Sequence, residues 1–352
     1  MASVNAEITV VDNGRAVTDA AYARSVTSKP SFVVYDEDFH KVLGESPQLT
    51  LVESRDYQFA HEAGVYNKAT KSVYFTSNFQ TSDPVELSAV NCETFAVTKL
   101  DFPEVVYANG ACQYQDHVLY CVQGSKDVPS SLVLVDPVTS KSTTLINNFY
   151  GREFSSINDV VIHHPTGDIW FTDPTYGYEQ GFRPSPDMPV QLYRFRPSTS
   201  QCWMVADGFT QCNGLCFSPD YKSLYVTDTG AVQAHNGPGD GHSLFSKPRL
   251  PASIYVYDVV DQRVLANRRA FAFCDTGVPD GIKCDEAGNV YSGCGDGVHV
   301  WDPQGSLIGK IITGDVTANF CFAKDGMWMM CEKALYFCRL KEKGALVKIE
   351  CE

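Results

Sequence analysis

Six stretches of this chain repeat one arrangement, in which an Asn, Asp or Glu stands shortly ahead of an aromatic-rich strand end. The copies are Glu62 in HEAGVYNKATKSVYF, Asn109 in NGACQYQDHVLYC, Asn158 in INDVVIHHPTGDIWF, Asn213 in CNGLCFSPDYKSLYV, Asp280 in PDGIKCDEAGNVYS and Asn319 in TANFCFAKDGMWMM. Successive key positions are 47, 49, 55, 67 and 39 residues apart. Spacings of this size suit four-stranded propeller blades with variable loops. Side chains at one phase of six similar units point the same way in each, so closure into a ring brings all six onto its axis. The expected fold is therefore an all-β, six-bladed β-propeller with a central metal site.

The text between the key positions reads as strands. A turn such as HPTGD, SPDYKS or DEAGN leads to a second strand (SVYFT, DIWFT, SLYVT, NVYSG). A third run follows, as in SLVLVDP, QLYRFRP, SIYVYDV, VHVWDP and ALYFCRL. Alternating β-branched and aromatic residues bounded by Gly, Asp and Pro favour strands. No long stripe of helical period interrupts them, so helices are expected to be short. Residues 1–30 lack a strong period and are expected to pack on the outside of a single domain over 31–352. Two Gly/Pro-rich insertions, 176–189 and 231–253, read as loops near the axial opening, where long loops shape pockets.

Composition removes several function classes. With 28 basic and 42 acidic residues the formal charge is −14, which repels phosphate backbones and anionic membranes. Neither nucleic acid nor membrane is an expected partner, and a closed ring needs no second copy, so a monomer is expected. Thirteen cysteines without a C-x-x-C pair, many inside apolar strands such as those around Cys112, Cys121, Cys216, Cys284, Cys321 and Cys331, read as small reduced hydrophobes. The first residues show no basic stretch leading into an apolar one, and no N-x-S/T sequon occurs. A cytoplasmic location is the expectation.

Glu62, Asn158, Asn213 and Asp280 offer two carboxylates and two amide oxygens. That set suits calcium, which takes six to eight oxygens, and contains none of the thiolate or imidazole that zinc and copper favour. Magnesium is disfavoured by its demand for near-ideal octahedral geometry. Asn-Gly and Asp-Gly are also ordinary turn dipeptides, but six in phase ahead of the same strand argue for more than turns. Asn109 and Asn319 read as pocket-lining or supporting amides.

The segments INDVVIHHPTGDIWFTDPTYGY, CNGLCFSPDYKSLYVTDTG and VPDGIKCDEAGNVYSGCGDGVHVWDPQGSLIGKI resemble the SMP-30/gluconolactonase family, and within it the fungal lactonohydrolases. The likeness runs from about residue 31 to 345, with Cys212 where many relatives have Pro before the Asn-Gly pair. The resemblance implies a propeller with a central calcium held by Glu62, Asn158, Asn213 and Asp280, and hydrolysis of a small lactone. In that reading Asp280 orients or deprotonates the attacking water and His61 is the alternative base. Asp228 reads as a pocket acid or a strand-ending turn residue, as does Asp173. Tyr176, a candidate substrate contact, and Tyr178 read as pocket walls or as loop packing, and His242 reads as a substrate contact near the opening or as a solvated loop residue. Other readings of the same site are an organophosphate or aryl esterase, a pathway enzyme that opens, isomerises or cyclises a metabolite, and a calcium-binding propeller without catalysis.

Overall fold

The computed structural model describes residues 2–4, 6–11, 30–80, 84–237, 240–246, 249–324 and 326–350. Six sheets form the blades, each around an antiparallel core of consecutive strands. The first blade comprises Glu62–Asn67, Ser72–Thr76, Leu87–Asn91 and Val97–Leu100. The second comprises Ala108–Tyr114, His117–Val122, Ser131–Val135 and Ser142–Ile146. Val160–His163, Asp168–Asp173, Gln191–Arg196 and Gln201–Ala206 make the third. Cys212–Phe217, Ser223–Asp228, Ser253–Val260 and Val264–Phe273 make the fourth. The fifth runs Ile282–Cys284, Val290–Cys294, Gly297–Trp301 and Leu307–Ile312, and the sixth runs Asn319–Ala323, Gly326–Cys331 and Ala334–Arg339.

The sixth blade lacks a fourth strand of its own. Gln48–Ser54 supplies it, pairing antiparallel with Ala334–Arg339 and joining the two ends of the propeller sequence in one sheet. The start of the chain also thickens two outer edges. Ser31–Val34 adds to Leu307–Ile312 in the fifth blade, with Glu7–Val10 parallel beyond it, and Ala2–Val4 pairs with Gln48–Ser54. These strands cover edges that would otherwise present unpaired N–H and C=O groups.

Six apolar clusters fill the six gaps between blades. Tyr74, Leu87, Val118 and Tyr120 join the first blade to the second. Trp170, Leu192, Phe217 and Leu224 join the third to the fourth, and Phe75, Val73, Trp328 and Phe337 join the sixth back to the first. Because each blade is sandwiched on both faces, its middle strands read as nearly continuous apolar runs rather than strict alternation. The buried cysteines follow the same logic: Cys121, Cys212, Cys216, Cys284 and Cys331 are free thiols within these clusters.

The insertion over 231–253 is not a structureless loop. Val232–Gly237 and Asp240–Ser246 form an antiparallel hairpin, because a long excursion satisfies its own backbone groups most readily by pairing with itself. Likewise the first residues of the 176–189 insertion form a short helix, Tyr176–Glu179. The remaining described helices are also short, Asp38–Leu43 and Val347–Glu350.

Two of the Asn-Gly pairs are not turns at all. Gly110 and Gly214 lie within innermost strands, where neighbouring blades approach most closely around the axis. A Cβ on Gly110 would stand 2.5 Å from the Asn158 carbonyl oxygen, and one on Gly214 2.5 Å from the Asp280 carbonyl oxygen. Only glycine lets the backbones come this near. Gly214→Ala is therefore expected to lower stability by about 1–3 kcal/mol through overpacking, read as a fall in the urea midpoint. An unchanged midpoint would show that the axial contact is looser than described.

Candidate functional site

Each innermost strand begins at the axis, and the key residues sit at or just ahead of these beginnings. Glu62, Asn213 and Asn319 open or nearly open their strands, Asn109 is the second residue of its strand, and Asn158 and Asp280 fall two residues before theirs. Hydroxyls on the second strands hold these positions across the blade boundaries. Thr76 donates to the Asn109 carbonyl at 3.4 Å, Thr172 to the Asn213 carbonyl at 2.7 Å and Thr227 to the Asp280 carbonyl at 3.0 Å. The recurring Thr of SVYFT, DIWFT and SLYVT is thus a latch from one blade to the next residue of the ring.

A cavity of about 620 Å³ opens on this end of the axis, lined by His61, Glu62, Asn109, Asn158, Tyr176, Asn213, Asp280 and Glu332 among others. A smaller, mostly apolar cavity of about 100 Å³ lies further along the same strands and is bordered by the C-terminal segment Gly344–Val347. The polar chemistry is concentrated at the first end.

Asn158 Oδ1, Asn213 Oδ1 and Asp280 Oδ1 are enclosed, yet none receives a hydrogen bond among the described residues. Buried oxygens left without donors cost on the order of 1–3 kcal/mol each, so three in one cluster call for a ligand. Glu62, almost fully buried, accepts from Asn319 Nδ2 at 2.7 Å. Burial, then the charge of Asp280, push the Glu62 carboxyl up to about 8. Burial likewise pushes Asp280 up to about 7. Two carboxylates and two amide oxygens, short of positive charge and of donors, fit a hard divalent cation.

The other sequence-predicted residues divide clearly. Asn109 lines the cavity, and its Nδ2 donates to the Asn158 carbonyl at 3.3 Å. Asn319 supports Glu62 from beneath rather than lining the cavity. Tyr176 lines it, its hydroxyl bonded to Thr229 Oγ1 and accepting from Asn213 Nδ2 at 3.3 Å. Tyr178 is half exposed and does not line it. His242 falls on the second strand of the hairpin, and its side chain lies outside the described residues.

Asp228 takes the turn role. Its carboxylate accepts from the backbone N–H groups of Thr210, Gln211 and Gly230 at 3.0–3.1 Å and is absent from the cavity lining. Three backbone donors thus hold this carboxylate away from the cavity. Asp173 does the same one blade earlier, accepting from Ser155 and Ser156.

Several cavity and supporting residues carry no motif that would reveal them. Glu332 accepts from or donates to His61 Nδ1 at 2.8 Å and receives Asn78 Nδ2 at 3.2 Å. Burial opposes its charge, but the His61 imidazole and the Asn78 amide hold its carboxyl below the usual range. Burial also opposes charge on His61, and Glu332 outweighs it, so the imidazole is raised. Asp159, next to Asn158, bonds the Leu215 N–H at 3.3 Å and ties the third blade to the fourth.

A model of the SMP-30/gluconolactonase/LRE-like region matches residues 62–236 and 232–331. The chain is 33% identical to lactonohydrolase oryL of Aspergillus oryzae over 314 residues, covering 84% of this chain and 71% of that protein. It is 26% identical to a gluconolactonase of Zymomonas mobilis over 236 residues, 60% of this chain and 58% of that one. Among solved structures, a gluconolactonase from Xanthomonas campestris superposes with a TM-score of 0.70 at 25% identity, covering 88% of this chain and 94% of that one. The fold and the in-phase axial residues define a six-bladed propeller with a polar site at one mouth. The chain belongs to the SMP-30/gluconolactonase/LRE-like family.

The division between axial and turn-holding acids is testable. Asp228→Asn is expected to lower the urea midpoint, by about 1–3 kcal/mol for a lost charged acceptor, while leaving any calcium-induced rise in melting temperature intact. An unchanged midpoint with a lost calcium response would return Asp228 to the site.

Proposed function

We propose that this chain is a calcium-dependent lactonase, opening a small sugar-type or other γ- or δ-lactone to its hydroxy acid. The observation that carries this reading is the cluster of enclosed oxygens without donors, Asn158 Oδ1, Asn213 Oδ1 and Asp280 Oδ1, beside the Glu62 carboxylate. Relatives named lactonohydrolase and gluconolactonase support the reaction class.

Glu62, Asn158, Asn213 and Asp280 would hold the ion on one side, facing the cavity. A bound calcium supplies Lewis-acid polarisation of the lactone carbonyl and charge to offset the oxyanion that develops as water adds. Everything else is work for the chain. Asp280 orients the attacking water. Its oxygen is also a ligand, and a cation lowers a carboxylate's basicity, so the proton is better taken elsewhere. His61 lines the cavity with Nδ1 fixed by Glu332, which leaves Nε2 as the atom to accept a proton from water and return it to the leaving alkoxide. That arrangement of a base oriented by a carboxylate is the general form of positioned proton transfer. Asn109 and Tyr176 border the same space and are placed to hydrogen-bond a polar, hydroxyl-bearing ring.

The test is acid release from a lactone panel, followed at constant pH on chelated protein with and without added calcium. Calcium is expected to restore turnover, and the product is expected to be heavier than the substrate by one water. Glu62→Gln and Asp280→Asn should lose turnover together with the calcium response. His61→Gln should keep calcium binding and lose about 10²–10⁴-fold in kcat, the range for a positioned acid–base group. Full turnover in chelated protein, or in both ligand variants, would refute the metal-dependent reading. Undiminished kcat in His61→Gln would transfer the base role to Asp280.

A further inference from the structure

The axial cluster is not the only place where ligand atoms converge. Where the fourth blade passes into the fifth, Cys274, Cys294 and His299 are all buried, and their sulfur and imidazole nitrogen atoms lie within 4.8 Å of one another. Cys274 immediately follows the strand Val264–Phe273, Cys294 ends Val290–Cys294, and His299 is the central residue of Gly297–Trp301. Three different strands thus deliver two thiols and an imidazole to one point.

The imidazole is set up as a ligand. His299 is wholly buried, and its Nε2 is bonded to Asp296 Oδ1 at 2.6 Å. A carboxylate at that nitrogen accepts the Nε2–H hydrogen bond, so in the neutral imidazole the lone pair lies on Nδ1. Nδ1 itself has no hydrogen-bond partner among the described residues. A buried basic nitrogen without a donor is costly unless something else occupies its lone pair. The nearest carboxylate oxygen to it, from Asp275, lies 3.5 Å away and is offered as a fourth donor. Lys310, itself buried, bonds both Asp275 oxygens at 2.7 and 2.8 Å and stands 3.8 Å from Asp296.

We propose that Cys274, Cys294 and His299 Nδ1 form a second metal site, one for a thiophilic divalent cation of the zinc class. The donor set decides the class: two thiolates and a nitrogen suit zinc and are poor ligands for calcium. The proposal does not rest on the lactone reading: none of the three residues belongs to the axial oxygen set, although Cys294 borders the same cavity.

The position gives such a site a role. Cys274 lies shortly before Asp280 in the chain. Cys294 follows Gly293, whose carbonyl accepts the Asp280 N–H at 2.8 Å and whose own N–H donates to Gly281 at 2.9 Å. A cation bridging Cys274 to Cys294 clamps both flanks of the segment that presents Asp280 to the axis. These residues are positioning residues for the axial site.

Cobalt(II) distinguishes the two sites, because only thiolate ligation gives sulfur-to-cobalt charge-transfer absorption. The full chain, chelated and kept reduced, is titrated with cobalt. A charge-transfer band saturating at one equivalent, displaced by zinc and not by calcium, is expected. Cys274→Ser and Cys294→Ser should abolish the band, whereas Cys284→Ser, which removes a thiol paired with Cys216 in the same apolar cluster, should retain it. Asp296→Asn leaves all three ligands in place and should weaken cobalt binding about 10–100-fold, the usual effect of losing a carboxylate behind a ligating histidine. No band in folded wild-type protein at saturating cobalt would overturn the proposal, as would a band that survives in both serine variants.

Discussion

The structure depends on the antiparallel pairing that closes the ring. Gln48–Ser54 lies against Ala334–Arg339, so that the last blade is completed by a strand that precedes the first. Without it the sixth blade would end on an open edge, and the cluster joining Phe75 and Val73 to Trp328 and Phe337 would lose the blade that orders it. Closure also fixes the axis. Once six blades share one centre, residues at equivalent phases must meet, and backbones must approach closely enough to exclude any Cβ at Gly110 and Gly214.

That convergence has an energetic cost. Antiparallel sheets normally satisfy every backbone group, and the Thr76, Thr172 and Thr227 hydroxyls tie off the carbonyls at the blade boundaries. Among the described residues, Asn158 Oδ1, Asn213 Oδ1 and Asp280 Oδ1 are left unpaired in the same small region. Polar atoms enclosed without partners oppose folding. A ring of six apolar interfaces can carry this penalty, which is the usual relation between a rigid scaffold and a destabilised functional centre. The arrangement locates function by its exceptions: the acids that are fully hydrogen-bonded, Asp173 and Asp228, hold turns, and the oxygens that are not mark the site.

Much of the ring was legible because its period is carried by local signals. The recurring key residue, the turn and the Thr-ended second strand are all contiguous in sequence, and they yield blade number and the axial set. What escaped was non-local. Ser31–Val34 and Gln48–Ser54 read as strands but give no sign that they belong to the fifth and sixth blades. Glu332 stands just beyond the strand Gly326–Cys331, outside the repeated phase, and reaches His61 only because the ring closes. Asp228 stayed open between two readings for the opposite reason: acids that cap turns and acids that face pockets look alike in sequence, and only the Thr210, Gln211 and Gly230 N–H groups around it separate the two. The pairing of Val232–Gly237 with Asp240–Ser246 was hidden by the Gly/Pro-rich composition of the insertion.

The most direct measurement is calorimetric titration of calcium into the chelated full-length chain. Six in-phase positions converging on one axis predict a single saturable site of one ion per chain, weakened severely when the Glu62 carboxylate is replaced by an amide. Saturation at one ion by wild type, with that loss, is the result the account requires. Heat no greater than dilution in the folded protein, or unchanged binding without the carboxylate, would contradict it.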